Sequence, residues 1–312
     1  CGWIPVVHIA VLVKIIRMAS EEWRFEGGKL LKAQERADER LCATRYPLLL
    51  VHGVFFRDFE HFNYWGRIPR ELEQNGASVF YGNHQSAASV ADSGRELADR
   101  IQEIIKDTGC GKVNVIAHSK GGLDTRYAVS CLGMSRYVAS LTTLSTPHRG
   151  SHTVDVLLRM PDRLVRIVSF FCERWYGLLG DKHPESYRMF HELATEPMKH
   201  FNQQTPNAEG VYYQSYAFIM KHFFSDFIMT LPFLVVKAIE GPSDGLVTPE
   251  SAAWGEFRGI YTGNGWKGIS HCDVVDRRRR RLSKKEPTNP HSVSDMVAFY
   301  FTLIKELKNR GL

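Results

Sequence analysis

Ser119 stands in a sequence context that favours a nucleophile. The segment Ala117-His118-Ser119-Lys120-Gly121 follows an apolar run and precedes a helix-compatible stretch. A serine on a sharp strand-to-helix turn needs small residues two positions before and two positions after it, because the turn brings those positions close to neighbouring backbone. Ala117 and Gly121 satisfy both conditions. The pattern predicts a nucleophile elbow, and the alternative is an ordinary serine in a strand-to-helix turn.

A serine hydroxyl is a weak nucleophile unless a base accepts its proton, and the base needs an orienting acid. In enzymes with a nucleophile elbow, the acid and then the histidine follow the serine along the chain. Asp244 follows an apolar run and is predicted as the acid, and His271, 27 residues later, is predicted as the base. His291 is an alternative base, whereas His222 precedes Asp244 and violates the order. The next candidates for the acid are Asp273 and Asp276.

Acyl transfer at a serine also requires backbone N–H groups that face the developing oxyanion. One donor in such elbows is the residue after the nucleophile, which is Lys120 here. The second donor comes from the loop after the first core strand, where His52-Gly53-Val54 stands. Val54 and Lys120 are therefore the predicted oxyanion donors.

Apolar runs alternate with segments of helical periodicity from residue 46 onward. Continuous apolar runs are typical of strands buried on both faces of a parallel sheet, and apolar residues at helical spacing predict helices between them. The predicted fold class is therefore α/β, with a mostly parallel central sheet and helices on both faces. The expected strands are 46–51, 77–81, 112–118, 138–144, 211–218 and 233–239. The expected helices include 92–106, one from Gly121, and a C-terminal helix with a capping box of Ser292 and Asp295.

The 312 residues suffice for one large core and predict one catalytic domain, 46–312. Within it, 151–201 is rich in Leu, Arg, Phe and Trp without an obvious strand, which indicates a helical insertion. Residues 1–45 are predicted to be an N-terminal extension that can lie near a membrane. Residues 3–13 are apolar but too few to span a bilayer, which takes about 20 residues. The tail of a signal or anchor segment and an apolar helix packed on the domain are both open interpretations.

The net charge of +6 is partly local, because Arg277 to Arg281 form an uninterrupted basic run. Such a run is typical of a solvated face, with an anionic surface as the alternative. No aromatic residue interrupts it, which disfavours a nucleic-acid partner. The six cysteines form no C-x-x-C pair, which disfavours a zinc site and a dense disulfide scaffold.

Five sequence blocks occur in a fixed order along the chain: Tyr46-Pro47 with Val51-His52-Gly53, Ala117 to Gly122, Ser145 to Ser151, Ser243 to Val247, and His271-Cys272-Asp273. Together they resemble the bacterial true lipases (triacylglycerol lipases) of the α/β-hydrolase fold, including the Pseudomonas and Burkholderia type. The resemblance covers about Tyr46 to the C-terminus, and it implies that the helical insertion 151–201 is a lid over the active site. Two departures are Ala117 in place of glycine and Lys120 where that type often has Gln or His.

The same resemblance implies a structural calcium ion near the base loop. In those lipases the aspartate two residues after the catalytic histidine is a calcium ligand, and Asp273 occupies that position here. Asp226, 18 residues before Asp244, is the nearest match to a second carboxylate ligand. An arginine of the run beginning at Arg277 can instead pair with Asp273 and replace the ion.

The leading functional hypothesis is a lipase that hydrolyses acylglycerol esters at a lipid–water interface through an acyl-serine intermediate, without an organic cofactor. Such an enzyme is expected to be secreted or membrane-associated. The alternatives are an esterase or thioesterase for soluble acyl substrates, or a polyester depolymerase, because the same triad serves all of them. A non-catalytic binding protein of the same fold is disfavoured because all three triad residue types occur in the required order. The sequence predicts no oligomeric state.

Overall fold

The computed structural model describes residues 40–54, 64–178 and 184–312. The predicted N-terminal extension therefore lies outside the described residues up to position 39, including the apolar segment 3–13. In the part of the chain that is described, no helix is both long and apolar enough to cross a bilayer.

In the described residues, seven strands form one sheet, and every neighbouring pair is parallel. The spatial order is β2-β1-β3-β4-β5-β6-β7. The predicted parallel sheet is confirmed, and the expected strand 138–144 matches β4 in both bounds. The strands are β1 Leu48–Val51, β2 Val79–Tyr81, β3 Val113–His118, β4 Val138–Leu144, β5 Tyr212–Ile219, β6 Glu256–Gly263 and β7 Ser292–Val293.

Helices cover both faces of the sheet, so successive residues of β1 enter different cores. Leu48 and Leu50 pack in the cluster that contains the C-terminal helix, whereas Leu49 and Val51 pack in the opposite cluster. This alternation explains why β1 is a continuous apolar run. The helices are α1 Ile68–Gln74, α2 Val90–Thr108, α3 Gly121–Cys131, α4 His152–Leu158, α5 Asp162–Leu178, α6 Ser186–Glu192, α7 Thr195–Gln204, α8 Thr230–Ile239, α9 Pro249–Ala252 and α10 Met296–Asn309.

The predicted helical insertion contains α4, α5, α6 and the start of α7, and its described residues, 151–178 and 184–201, include no strand. Much of the apolar surface of α5 faces solvent. Phe170 is 60% exposed, Phe171 is 67% exposed and Ile167 is 52% exposed. Whether these helices act as a lid stays a prediction.

The sequence misjudged local structure at three points, because two expectations were wrong and one strand was missed. The apolar run 233–239 is not a strand but the second half of α8, in which Phe233 and Val236 are buried at helical spacing while Leu234 and Val235 are exposed. A short apolar run does not by itself distinguish a buried strand from a helix. The strand that follows β5 is instead β6, whose charged and glycine residues gave no apolar run.

The third error concerns the start of α10. Its N-cap is Asp295, whose carboxylate accepts a hydrogen bond from the N–H of Val297 at 3.2 Å. Ser292 lies in β7 and is therefore not the capping residue. The apolar face predicted for this helix is buried against the sheet.

Candidate active site

Ser119 occupies a strained turn between β3 and α3. Its φ of +55° lies in the left-handed region, which is uncommon for residues other than glycine. The Ser119 N–H donates to the Leu144 carbonyl at 3.0 Å, and the Thr146 hydroxyl donates to the Ser119 carbonyl at 2.7 Å. Hydrogen bonds from the N–H and to the carbonyl of Ser119 thus hold the turn beside the end of β4. A strained backbone of this kind is typical of functional sites.

Glycines around the turn have no room for a side chain. A Cβ at Gly121 would lie 2.3 Å from the His52 carbonyl oxygen, and one at Gly122 would lie 2.3 Å from Thr146 Oγ1. A Cβ at Gly53 would lie 2.6 Å from Ser119 Cβ. The close backbone approach that the small-x-Ser-x-Gly pattern indicates is therefore present, and it includes the loop after β1.

Asp244 and His271 form a direct pair in the interior. His271 Nδ1 and Asp244 Oδ2 are 2.7 Å apart, and the His271 N–H donates to the Asp244 carbonyl at 2.8 Å. The other carboxylate oxygen of Asp244 accepts from the N–H groups of Leu246 and Val247 at 3.0 and 2.9 Å. Because an ionised carboxylate only accepts, the shared proton resides on Nδ1 and leaves Nε2 as the basic nitrogen.

The His271 ring lies beside the elbow. It packs against the ring of His118, the residue before Ser119, with centroids 4.4 Å apart and planes tilted by 47°. Ser119, Asp244 and His271 are all at least 95% buried. The fold thus pairs His271 with Asp244 and places the pair beside the elbow that carries Ser119, although Asp244 follows a helix and not a strand.

The alternative bases and acids have other partners. His291 contacts the Tyr261 ring near β6, and His222 stacks on Phe223 and Phe224. The alternative acids are held by arginines, because Asp273 pairs with Arg278 and Asp276 pairs with Arg67.

Lys120, the first predicted oxyanion donor, is the N-cap of α3 and is buried. Its ammonium group donates to Asp124 at 2.8 Å and to the Ser93 hydroxyl at 3.1 Å. Burial raises the pKa of Asp124 to about 6, against the opposing attraction of Lys120. This buried ion pair was missed in the sequence, because lysine is ordinarily an exposed residue. The ion pair fixes Lys120, whose main-chain N–H is the predicted oxyanion donor.

Val54, the second predicted donor, follows Gly53 in the loop after β1. The Gly53 N–H donates to the Tyr64 hydroxyl at 3.1 Å, and that hydroxyl lies 2.7 Å from His118 Nδ1. Tyr64 therefore links the loop that carries Val54 to the end of β3, which immediately precedes Ser119. Nothing in the sequence around Tyr64 indicated this role, because the contact spans 54 residues to His118.

The block from Ser145 to Ser151 follows β4 and makes structural contacts. His148 is buried, and its Nε2 lies 2.9 Å from the Thr143 hydroxyl. Burial lowers the pKa of His148 well below its usual value. Asn202 of α7 donates to the His148 carbonyl at 2.8 Å and so attaches the end of the insertion to this turn.

The two aspartates predicted as calcium ligands both contact Ser270 and do not form a cage of free oxygens. Ser270 donates through its hydroxyl to Asp226 at 2.8 Å and through its N–H to Asp273 at 3.1 Å. Both carboxylate oxygens of Asp273 accept from Arg278. Among the described residues there is no group of three or more His, Cys, Asp or Glu side chains that could hold a metal. The residues present therefore do not fit a calcium ion, and calcium stays a prediction for experiment.

The chain is similar in sequence to several known lipases. The chain is 29% identical over 261 residues to triacylglycerol lipase 2 of Saccharomyces cerevisiae, with 80% of this chain and 74% of that protein aligned. It is 33% identical to a triacylglycerol lipase of Burkholderia plantarii and 34% identical to one of Pseudarthrobacter phenanthrenivorans. These two alignments cover 55% and 54% of this chain and 51% and 56% of those proteins. The chain thus spans about half the length of these two bacterial relatives.

The family model described as "Putative serine esterase (DUF676)" matches residues 73–168, which include the elbow. Two solved structures show the same fold. A mature lipase of Bacillus licheniformis superposes with a TM-score of 0.58 at 23% identity, covering 76% of this chain and 88% of that chain. A metagenomic carboxyl esterase superposes with a TM-score of 0.64 at 15% identity, covering 86% of this chain and 76% of that chain. The chain therefore has the α/β-hydrolase fold and is similar in sequence to triacylglycerol lipases of yeast and bacteria.

Proposed function

We propose that this chain hydrolyses carboxylic esters with Ser119 as nucleophile, His271 as base and Asp244 as acid. The observation that carries the proposal is the 2.7 Å contact between His271 Nδ1 and Asp244 in a pair that packs beside the elbow. Orientation by a buried carboxylate leaves Nε2 of His271 ready to accept a proton.

The reaction proceeds in two half-reactions. Ser119 Oγ attacks the ester carbonyl carbon while its proton passes to Nε2 of His271, and the carbonyl oxygen becomes an oxyanion held by the N–H groups of Val54 and Lys120. The tetrahedral intermediate then expels the alcohol, which takes the proton from His271, and leaves an acyl-serine. A water molecule, deprotonated by His271, attacks the acyl-serine, and collapse releases the carboxylic acid and restores Ser119.

We infer that the physiological substrate is an acylglycerol at a lipid–water interface. Two features support this: the relatives named triacylglycerol lipases, and the apolar side chains that face solvent. Besides α5, Phe227 is 93% exposed and Leu231, in α8, is 71% exposed. Large apolar side chains that face solvent favour a contact with lipid or with another protein. On the same basis we propose that α4 to α7 act as a lid, and that the enzyme is secreted or membrane-associated.

The test is Ser119→Ala, assayed with p-nitrophenyl esters of increasing acyl length and with emulsified triolein. We expect the variant to keep the wild-type melting temperature and to lose activity by several orders of magnitude. Ser135→Ala, on the short 3-10 helix Met134–Tyr137 away from the triad, is the matched control and should be fully active. Substantial activity in a folded Ser119→Ala variant would refute the assignment. Activity on soluble short esters without activity on triolein would identify an esterase instead of a lipase.

A further inference from the structure

The loop that carries His271 is held by carboxylates on both sides of Ser270. The fully buried Ser270 donates its hydroxyl proton to Asp226 at 2.8 Å, and its N–H donates to Asp273 at 3.1 Å. The Asp273 N–H returns a hydrogen bond to the Ser270 hydroxyl at 3.1 Å. Because Ser270 immediately precedes His271, the position of the base depends on where these two carboxylates are kept.

Arg278 covers the Asp273 carboxylate. Its Nε donates to Oδ1 at 2.5 Å, and its Nη2 donates to Oδ2. Asp273 is 99% buried, whereas the Arg278 side chain is 23% exposed. The planar guanidinium thus makes the two-pronged contact that it forms best with carboxylates, and its charge also interacts with Asp226.

This arrangement conflicts with a cation at the same place. Calcium binds six to eight oxygen atoms at about 2.3–2.6 Å, most of them carboxylate or carbonyl oxygens. A guanidinium on both oxygens of Asp273 uses a lone pair of each and brings a positive charge to the position where the ion would bind. Arg278 therefore supplies the positive charge that the two buried carboxylates, Asp226 and Asp273, need.

The other end of the loop has a second arginine. Asp276, 97% buried and with φ of +53°, accepts from Arg67 Nε and Nη2, both at 2.8 Å. The Arg67 N–H adds a third bond to the same carboxylate at 2.9 Å. The segment from Ser270 to Arg278 is thus fixed at two points by arginine–carboxylate pairs.

We propose that Arg278 is a positioning residue for His271, and that its ion pair with Asp273 holds the base loop without calcium. The proposal rests on His271 being the catalytic base, as inferred above. One residue of the basic run beginning at Arg277, namely Arg278, thereby helps to position the active site.

The first arm of the test measures melting temperature and ester hydrolysis of the wild-type protein with EGTA and with added calcium chloride. A ligand that binds only the folded state raises the melting temperature as its concentration rises. We expect neither quantity to change. A melting temperature that falls with EGTA and is restored by calcium overturns the proposal, whether or not the protein hydrolyses esters.

The second arm compares Arg278→Ala with Arg280→Ala, an exposed arginine of the same run. We expect Arg278→Ala to lower kcat by about 10–100-fold with little change in KM, because a catalytic group displaced by about 1 Å costs roughly 10²-fold. Arg280→Ala should match the wild type. Equal kcat values for the two variants overturn the proposal.

Arg278→Lys keeps the charge but cannot form the two-pronged contact, so its kcat should lie between those of the wild type and Arg278→Ala. If Arg278→Ala fails to fold, Arg278→Lys decides alone, and a wild-type kcat and melting temperature in that variant would overturn the proposal. A wild-type protein that does not react with a fluorophosphonate at Ser119 would contradict the proposed function, while the melting-temperature arm would still decide between arginine and calcium.

Discussion

Gly53 offers a direct test of how tightly the loop after β1 packs against the nucleophile. Its backbone conformation is one that alanine also adopts, so Gly53→Ala changes the packing alone. The added Cβ would lie 2.6 Å from Ser119 Cβ, 3.0 Å from the His118 carbonyl oxygen and 3.2 Å from Ser119 Oγ. Carbon atoms in favourable contact are about 3.5–4.0 Å apart, so the loop and the elbow must separate by about 1 Å.

That displacement moves Ser119 Oγ, the reacting atom, relative to the loop that carries the Val54 N–H. A misplacement of about 1 Å can reduce turnover by roughly 10²-fold. Overpacking of a tight interior also costs about 1–3 kcal/mol of stability. We therefore expect Gly53→Ala to fold, with a lower melting temperature, and to lose about 10²-fold in kcat/KM.

The assay is kcat/KM for a short p-nitrophenyl ester, with the melting temperature measured on the same preparation. Gly111→Ala is the matched control, because a Cβ at the exposed Gly111 meets no atom within 4 Å. This control should retain wild-type activity. If Gly53→Ala hydrolyses the ester as fast as Gly111→Ala, the loop does not press on the nucleophile as described, and the placement of the oxyanion donor at Val54 loses its support.

Two further variants probe the groups that orient the triad. Asp244→Asn should fold and lose about 10⁴-fold in kcat. Because Oδ1 accepts two main-chain hydrogen bonds, the amide NH₂ of the asparagine must face His271 Nδ1, and this favours the wrong histidine tautomer. Wild-type turnover in this variant would make Asp273 or Asp276 the acid. Tyr64→Phe removes the hydroxyl between the Gly53 N–H and His118, and the unsatisfied N–H should cost about 1–3 kcal/mol in chemical denaturation and lower kcat more than it raises KM. An unchanged kcat in Tyr64→Phe would show that this link does not position the oxyanion loop.

The sequence predicted the elbow well because its constraints are local. Ala117, Ser119 and Gly121 lie within one turn, and the strain at Ser119 demands small neighbours wherever the rest of the chain goes. The strands β3 and β4 were also predictable, because both are buried along their entire length and are rich in Val, Leu, Ile and Thr, of which Val, Ile and Thr favour strands. Motif order then restricted the acid and base to few candidates.

The parts that the sequence did not predict depend on contacts between distant segments. Tyr64 and Lys120 acquire their roles only when the loop after β1, α2 and α3 pack together. The half-exposed strand β6 contains charged residues and glycines, so its periodicity did not distinguish it from a loop. The apolar run in α8 was predicted as a strand instead. The sequence left calcium and arginine as alternatives at Asp273, and only the three-dimensional arrangement selects Arg278 among the five arginines of the run.

The strand order has a consequence for how the enzyme gains activity as it folds. The nucleophile follows β3, whereas the acid and base lie beyond β5 and are joined to each other by two hydrogen bonds. β4 separates the two halves, so the triad is complete only after β5 has paired with β4. Pairing of strands far apart in sequence is slow compared with local helix formation. Recovery of hydrolysis after dilution from denaturant should therefore lag behind the recovery of helical signal, which makes turnover a kinetic reporter of the joining of the two half-sheets.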